Sequence, residues 1–92
     1  MAKITKIRVA TPRSLRICFA RERREREVDL TGLMARSTHF APLLNDREAF
    51  AKARIVEGGL GVAWPIRTKW GRLDLSAETL RRIADEQEST AP

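Results

Sequence analysis

Ninety-two residues, 42% of them apolar and 33% charged, make a chain of ordinary globular composition, long enough for one modest core and therefore one domain. No apolar run approaches the ~20 residues of a membrane-spanning helix, and no unbroken apolar stretch follows the basic start Met1–Lys6, so neither a span nor a secretory leader is expected. The single cysteine, Cys18, excludes an internal disulfide and fits a reducing, cytoplasmic setting.

The net charge of +6 is unevenly spread. Residues 1–29 set nine Lys/Arg against four acids, residues 30–73 seven against three, and residues 74–92 two against five. A basic body with an acidic end suits an anionic partner, either nucleic acid or an acidic protein surface. Arginine outnumbers lysine fourteen to four, which a GC-rich coding sequence also produces, so the charge alone does not name that partner.

In chain order, Ile7 and Val9 alternate with Lys6 and Arg8, the turn Thr11-Pro12-Arg13-Ser14 intervenes, and Leu15, Ile17 and Phe19 alternate with Arg16, Cys18 and Ala20. This period of two predicts paired strands over 4–10 and 14–20. A third strand over 24–30 carries Val28 and Leu30 on one face and Glu25, Glu27 and Asp29 on the other. The three make an antiparallel meander with one wet and one buried face. Ala20-Arg21-Glu22-Arg23 lacks the Gly or Asn of a tight hairpin, so the second connection is expected to be longer or bulged.

Thr31 is placed to cap a short helical turn through Met34. Residues 36–44, with Pro42 and no clear period around His39-Phe40, read as an irregular loop. Asn45 or Asp46 caps a second short helix over 47–53 with Ala49, Phe50 and Ala53 inward. Arg54-Ile55-Val56, the turn Glu57-Gly58-Gly59 and Leu60–Trp64 predict a second hairpin. Residues 66–72 form a basic loop or edge extension. Ser76 opens a final helix over 77–88, with Leu80, Ile83, Ala84 and Gln87 on one stripe and the i,i+4 pairs Glu78–Arg82, Arg81–Asp85 and Arg82–Glu86 outside. Residues 89–92 are expected to fray. The fold class is thus α+β: a three-stranded N-terminal meander and a second hairpin, with short helices and a C-terminal helix, in a single domain over 1–88.

Catalytic chemistry has little to work with. One histidine, one cysteine and no tyrosine leave His39 without a nucleophile motif nearby, and Cys18 falls out of step with the buried positions of its strand, on the opposite sheet face. One His and one Cys 21 positions apart make no zinc ligand set. Glu25, Glu27 and Asp29 are interleaved with arginines, as in a solvated, cross-strand-paired surface. Gly58-Gly59-Leu60-Gly61 lacks a following Lys-Ser/Thr and sits between strands, as a hairpin turn does and a phosphate loop does not. No catalytic, cofactor or metal residues are assigned, and no cofactor is expected.

Two basic constellations remain. The first is Arg21, Arg23, Arg24 and Arg26, with Arg13 and Arg16 on the partner strand or its turn; Arg24 and Arg26 share a face with Val28 and Leu30, where they either snorkel or meet a partner's carboxylates or phosphates. The second is Arg67, Lys69 and Arg72 around Trp70. A tryptophan among cations is suited to stacking on bases or to anchoring a protein partner. The simpler expectation is that its ring caps the core beside Trp64.

The order of Glu27-Val28-Asp29-Leu30-Thr31-Gly32-Leu33, Phe40-Ala41-Pro42-Leu43, Phe50, Arg54-Ile55, the Gly58-Gly59 turn, Trp64-Pro65 and Leu73–Leu80 resembles the domain-of-unknown-function family 2442, over roughly residues 4 to 84. The resemblance implies a small bacterial α+β fold without an assigned activity, whose genes often lie beside small partner genes in toxin–antitoxin-like pairs. It implies a binding or regulatory role, antitoxin-like in its strongest form, and carries over no catalytic residues. Two departures stand out: Arg21-Glu22 replaces the family's glycine-type hairpin, and the stretch between Trp64 and Asp74 is longer and more basic. Some members carry a helix-turn-helix after this domain; the present chain ends too soon for one, so any DNA contact is expected from this domain itself. The functional expectation is a non-enzymatic binding module with a protein partner, the alternative a nucleic-acid-binding domain. Pairing of copies through an exposed strand edge is compatible with both.

Overall fold

The structure, a computed structural model, describes residues 1–90. Strands β1 (Ile4–Thr11), β2 (Ser14–Phe19) and β3 (Arg26–Asp29) form one antiparallel sheet in that order. The short helix α1 (Thr31–Arg36), a 3-10 turn (Ala41–Leu43) and the single-turn helix α2 (Arg47–Phe50) follow. A second antiparallel sheet comprises β4 (Arg54–Val56), β5 (Gly61–Thr68) and β6 (Gly71–Ser76), and helix α3 (Ala77–Thr90) closes the chain. The α+β class, the N-terminal meander and the terminal helix are as the sequence leads one to expect.

The first sheet buries one face, and in the second β5 is buried on both faces over Gly61–Trp64. Leu15, Ile17 and Phe19 of β2 and Val28 of β3 meet Val62 and Trp64 of β5, Leu73 and Leu75 of β6, and Leu80 and Ala84 of α3 in one continuous core. Phe40, Leu43 and Phe50 fill it from the connecting segment. Trp64 is 1% exposed, stacks on Phe50 at 5.8 Å between ring centroids, and donates its indole N–H to the Phe50 carbonyl at 3.0 Å. A buried indole needs such a partner to avoid the cost of an orphaned donor.

Several local expectations are corrected. Of the two alternatives for residues 66–72, strand extension holds and a loop does not, apart from the turn at Lys69-Trp70: Pro65, which has no N–H to give, sits at an irregularity between Trp64 and Arg67, beyond which β5 resumes its pairing with β6. Gly71–Ser76 is a strand, with Leu73 and Leu75 buried between exposed Arg72, Asp74 and Ser76. β3 begins at Arg26 rather than 24, and α2 stops at Phe50 rather than 53. Thr31 does not cap α1; it is its first residue, and its N–H is accepted by Asp29 Oδ1 at 2.9 Å. Residues 41–43 within the expected loop form a 3-10 turn with proline near its start, where a missing N–H costs nothing.

The caps at Asp46 and Ser76 are in place: Asp46 Oδ1 accepts from Ala49 N at 3.0 Å and Ser76 Oγ from Thr79 N at 3.1 Å. Of the i,i+4 pairs expected on α3, only Arg82–Glu86 forms, at 3.8 Å. Ser89 and Thr90 continue the helix instead of fraying, whereas residues 91–92 of the expected tail lie outside the described residues. The loop between β2 and β3 is long, as expected, and opens with Arg21 at φ 72°.

The turn after β4 comes close to the start of β1 at Gly59. Its φ of +102° suits glycine, and a Cβ built there would lie 2.6 Å from the Ile4 carbonyl oxygen. Gly58, at φ +65°, has open space around the same position. Gly59→Ala therefore combines backbone strain with an overlap against main chain, and a loss of about 3 kcal/mol or more is expected in chemical denaturation. Gly58→Ala carries only the left-handed penalty of about 1–2 kcal/mol. Equal stabilities for the two variants would contradict the close approach of the turn to β1.

Candidate functional site

The first basic constellation is dispersed by the fold, and the reason is the acidic end of the chain. Arg26 projects from the core face of β3 beside Val28 and Leu30, where its side chain is only 7% exposed. Water cannot solvate a guanidinium there, so carboxylates must. Its Nη2 donates to Asp85 at 2.6 Å and its Nε to Glu88 at 2.8 Å, while Glu22 lies at 3.5 Å. Arg24 also reaches Glu88, at 2.7 Å. Burial works against the charge on Arg26, but the hydrogen bonds to Asp85 and Glu88 outweigh it and hold the guanidinium above its ordinary pKa. The Glu88 carboxyl is held below its ordinary range, first by the hydrogen bond from Arg24 and then by that from Arg26.

The other members take separate directions. Arg16 stands on the outer face of the first sheet opposite Glu27, 3.5 Å away, with its Nε buried and unpartnered. Arg8 binds Glu25 through two hydrogen bonds of 2.7 and 2.8 Å, and this pairing lowers the Glu25 pKa. Glu25 and Glu27 thus form the cross-strand surface expected of them. Cys18 is half-buried on that same outer face, opposite Lys6. Arg13 turns toward residues 44–45, its Nε donating to the Leu44 carbonyl at 2.7 Å. Arg21 and Arg23 alone stay exposed in the loop after β2, with no carboxylate in ion-pair range among the described residues.

The second constellation stays together, and its tryptophan is not where the sequence suggests. Trp70 is 58% exposed at the tip of the β5–β6 hairpin, so it does not cap the core beside Trp64. The pairing of Thr68 with Gly71 leaves Lys69 and Trp70 as the two turn residues, and their side chains project from the sheet end. Lys69 Nζ sits 4.7 Å from the Trp70 ring centroid. Arg67 is exposed without an ion pair among the described residues, whereas Arg72 is held by Asp74 at 2.8 Å and Glu57 at 2.9 Å.

His39 and Thr68 were missed as parts of this tip; the structure shows that they fix it. Thr68 Oγ1 lies 3.0 Å from His39 Nδ1, 3.1 Å from the Gly71 carbonyl and 3.1 Å from the Trp70 N–H. A hydroxyl has one proton, so the arrangement satisfying all three contacts has Thr68 donating to Gly71 O and accepting from Trp70 N and His39 Nδ1–H. The imidazole is not a solvated loop residue. It is half-buried, edge-on to Trp70 at 5.8 Å and to Phe40 at 5.1 Å, and Phe40 in turn meets Trp64 at 6.2 Å. A row of rings thus links the exposed Trp70 to the core. The sequence signal was the aromatic pair His39-Phe40 directly after the polar Arg36-Ser37-Thr38, but only the fold brings it under residue 70.

No hydrogen bond joins His39 to Cys18 or to a carboxylate among the described residues, and no group of three or more His, Cys, Asp or Glu side chains there could hold a metal ion. No helix of the described chain is long and apolar enough to cross a membrane. No family model, no curated protein and no solved structure matches the chain.

The ion pairs of Glu88 and Glu25 give stability a defined pH dependence. A carboxyl whose pKa is lower folded than unfolded binds fewer protons in the folded state. It stabilises the fold above its ordinary value of 4.5 and loses that contribution as the pH falls toward the folded value. Thermal midpoints measured from pH 7 to 3 should therefore decline on the acid side of that value, and Glu88→Gln should start lower at pH 7 and decline less. A parallel decline in wild type and variant would show that the Arg24–Glu88–Arg26 contact contributes nothing to folding.

Proposed function

We propose that this chain is a non-enzymatic binding module that engages a protein partner through the β5–β6 hairpin tip, with Trp70 as the central contact. The observation that carries the reading is an exposed tryptophan held in a fixed position by Thr68, His39 and Lys69. Large, rigid aromatic side chains contribute most to protein–protein affinity because they bury much area and lose little freedom. The uncompensated charges of Arg67 and Lys69 favour a partner surface with an apolar pocket rimmed by carboxylates. The resemblance of residues 4 to 84 to the domain-of-unknown-function family 2442 adds the proposal that the partner is encoded next door and that the pair is toxin–antitoxin-like.

Co-expression with the product of the adjacent gene tests this directly. A complex should form with wild type, and Trp70→Ala should weaken it by about 2 kcal/mol or more, some thirtyfold, as hot-spot truncations do. Because the ring is largely exposed, the same variant should leave the thermal midpoint nearly unchanged. No complex, or a complex indifferent to Trp70→Ala, would remove the proposal.

A second reading, a nucleic-acid-binding domain, is favoured by Arg67 and Lys69 flanking the same ring without carboxylates. Single-stranded DNA or RNA stacking on Trp70 should quench its fluorescence, while Trp64 in the core remains silent. Affinity should then fall as salt rises from 50 to 200 mM, about 7-fold for two neutralised phosphates and about 18-fold for three. A flat salt response, or quenching retained in Trp70→Phe, would exclude it.

A further inference from the structure

A cavity of about 400 Å³ opens where the β1–β2 turn meets the start of α1 and the segment leading into α2, on residues not used by the Trp70 hairpin. Its wall contains Thr11, Arg13, Thr31, Asn45 and Arg47, and no carboxylate. Two arginines on one small concave surface repel each other unless something negative lies between them. Several arginines elsewhere on this protein are met by acids: Arg8 by Glu25, Arg16 by Glu27, Arg26 by Asp85 and Glu88, Arg72 by Asp74 and Glu57. Here none arrives. Of the acids nearest in sequence, Asp46 accepts from Ala49 N and Asp29 from Thr31 N, while the exposed Glu48 is not part of the cavity wall.

The cavity is also organised. Arg13 is aimed by two contacts, Nε to the Leu44 carbonyl at 2.7 Å and Nη2 to Asn45 Oδ1 at 3.1 Å, which leaves Nη1 free to donate. By accepting through its oxygen, Asn45 keeps both amide protons of Nδ2 available. The Thr31 hydroxyl and the Arg47 guanidinium have no partner among the described residues. Thr11 and Ser14 hold each other at 2.7 Å and fix the turn that carries Arg13. The result is a concave set of donors with two positive charges, of the size that takes small ligands and too polar for an apolar one.

We propose that this cavity binds a phosphoryl group, with Arg13 and Arg47 supplying charge and Thr31 and Asn45 supplying neutral donors. The phosphoryl belongs to a small phosphomonoester or to a polynucleotide backbone; the chemistry recognised is the same. The proposal is independent of the role given to Trp70.

The test uses the full chain and follows backbone amide shifts in solution during titration with inorganic phosphate, glycerol 3-phosphate, glycerol and a single-stranded DNA oligonucleotide, at constant ionic strength maintained with chloride. Saturable shifts centred on residues 11–13, 31 and 45–47 are expected with inorganic phosphate and glycerol 3-phosphate, and none with glycerol. Arg47→Gln, which breaks no side-chain hydrogen bond or ion pair among the described residues, should weaken phosphate binding about tenfold, while Arg67→Gln at the other constellation should not. Tighter binding of glycerol 3-phosphate than of the oligonucleotide assigns the site to a free phosphomonoester; the reverse order assigns it to a nucleic-acid phosphate. Shifts that do not saturate, that chloride alone reproduces, or that persist unchanged in Arg47→Gln overturn the proposal.

Discussion

Arg26 sets the condition that the C-terminal third of the protein has to meet. A guanidinium on the core face of β3 cannot shed its charge, and at 7% exposure it cannot rely on water. The acids of α3 answer it, which fixes the helix against β3 in rotation and in register along its axis. Gln87 adds a two-way clasp, donating to the Asp29 carbonyl at 2.7 Å and accepting from the Asp29 N–H at 3.0 Å, so the outer edge of β3 is hydrogen-bonded to the helix. The start of α3 is tied as well, because Glu78 accepts from the Ala2 N–H at 2.6 Å. The acidic end of the sequence is thus less a separate region of surface than the counterion of the basic sheet. Because Asp85 and Glu88 stay partly exposed, the clasp contributes more to the placement of α3 than to net stability.

That neutralisation changes what the net charge of +6 means. Counted along the chain, the arginines of residues 13–26 look like a surface for an anion. In space, Arg16, Arg24 and Arg26 face carboxylates, and Arg13 faces a carbonyl and an amide. A salt-dependent attraction to phosphate depends on cations that remain unpaired, and among these are Arg21 and Arg23 in the loop after β2, Arg67 and Lys69 at the hairpin tip, and Arg13 and Arg47 at the cavity.

The first meander was legible because Leu15, Ile17 and Phe19 alternate cleanly and Val28 follows on the same face. Strand β6 was not, although Leu73 and Leu75 alternate with Arg72 and Asp74 in the same way. The interruption at Pro65 and the basic run after it left a loop and an edge extension both open, whereas the irregularity in β5 absorbs the proline and pairing resumes past it. Trp70 was misplaced for a related reason: without β6 there is no two-residue turn to push it outward. Of the i,i+4 pairs expected on α3, Arg82–Glu86 forms, whereas Asp85 and Arg81 turn to Arg26 and Glu22, since i,i+4 spacing is visible in a sequence and the approach of β3 and its preceding loop is not. The cavity near Arg13 joins residues more than thirty positions apart and has no local signature at all.

The exposure of Trp70 needs an explanation stronger than the presence of a large ring at a surface, since single exposed hydrophobic residues are common. The chain has five Phe and Trp residues, and the other four are buried. An ordinary exposed aromatic would rotate freely on a mobile turn. This one has its backbone N–H bound by Thr68, its ring against the edge of His39, and a cation over its face. Each of those contacts removes freedom before any partner arrives, so less entropy remains to be lost when one does. His39 sits at the joint of this arrangement, with one nitrogen satisfied by Thr68 and its ring wedged between Phe40 and Trp70. The core therefore determines where Trp70 points: Trp64 positions Phe40, Phe40 positions His39, and His39 holds the ring in the orientation a partner would meet.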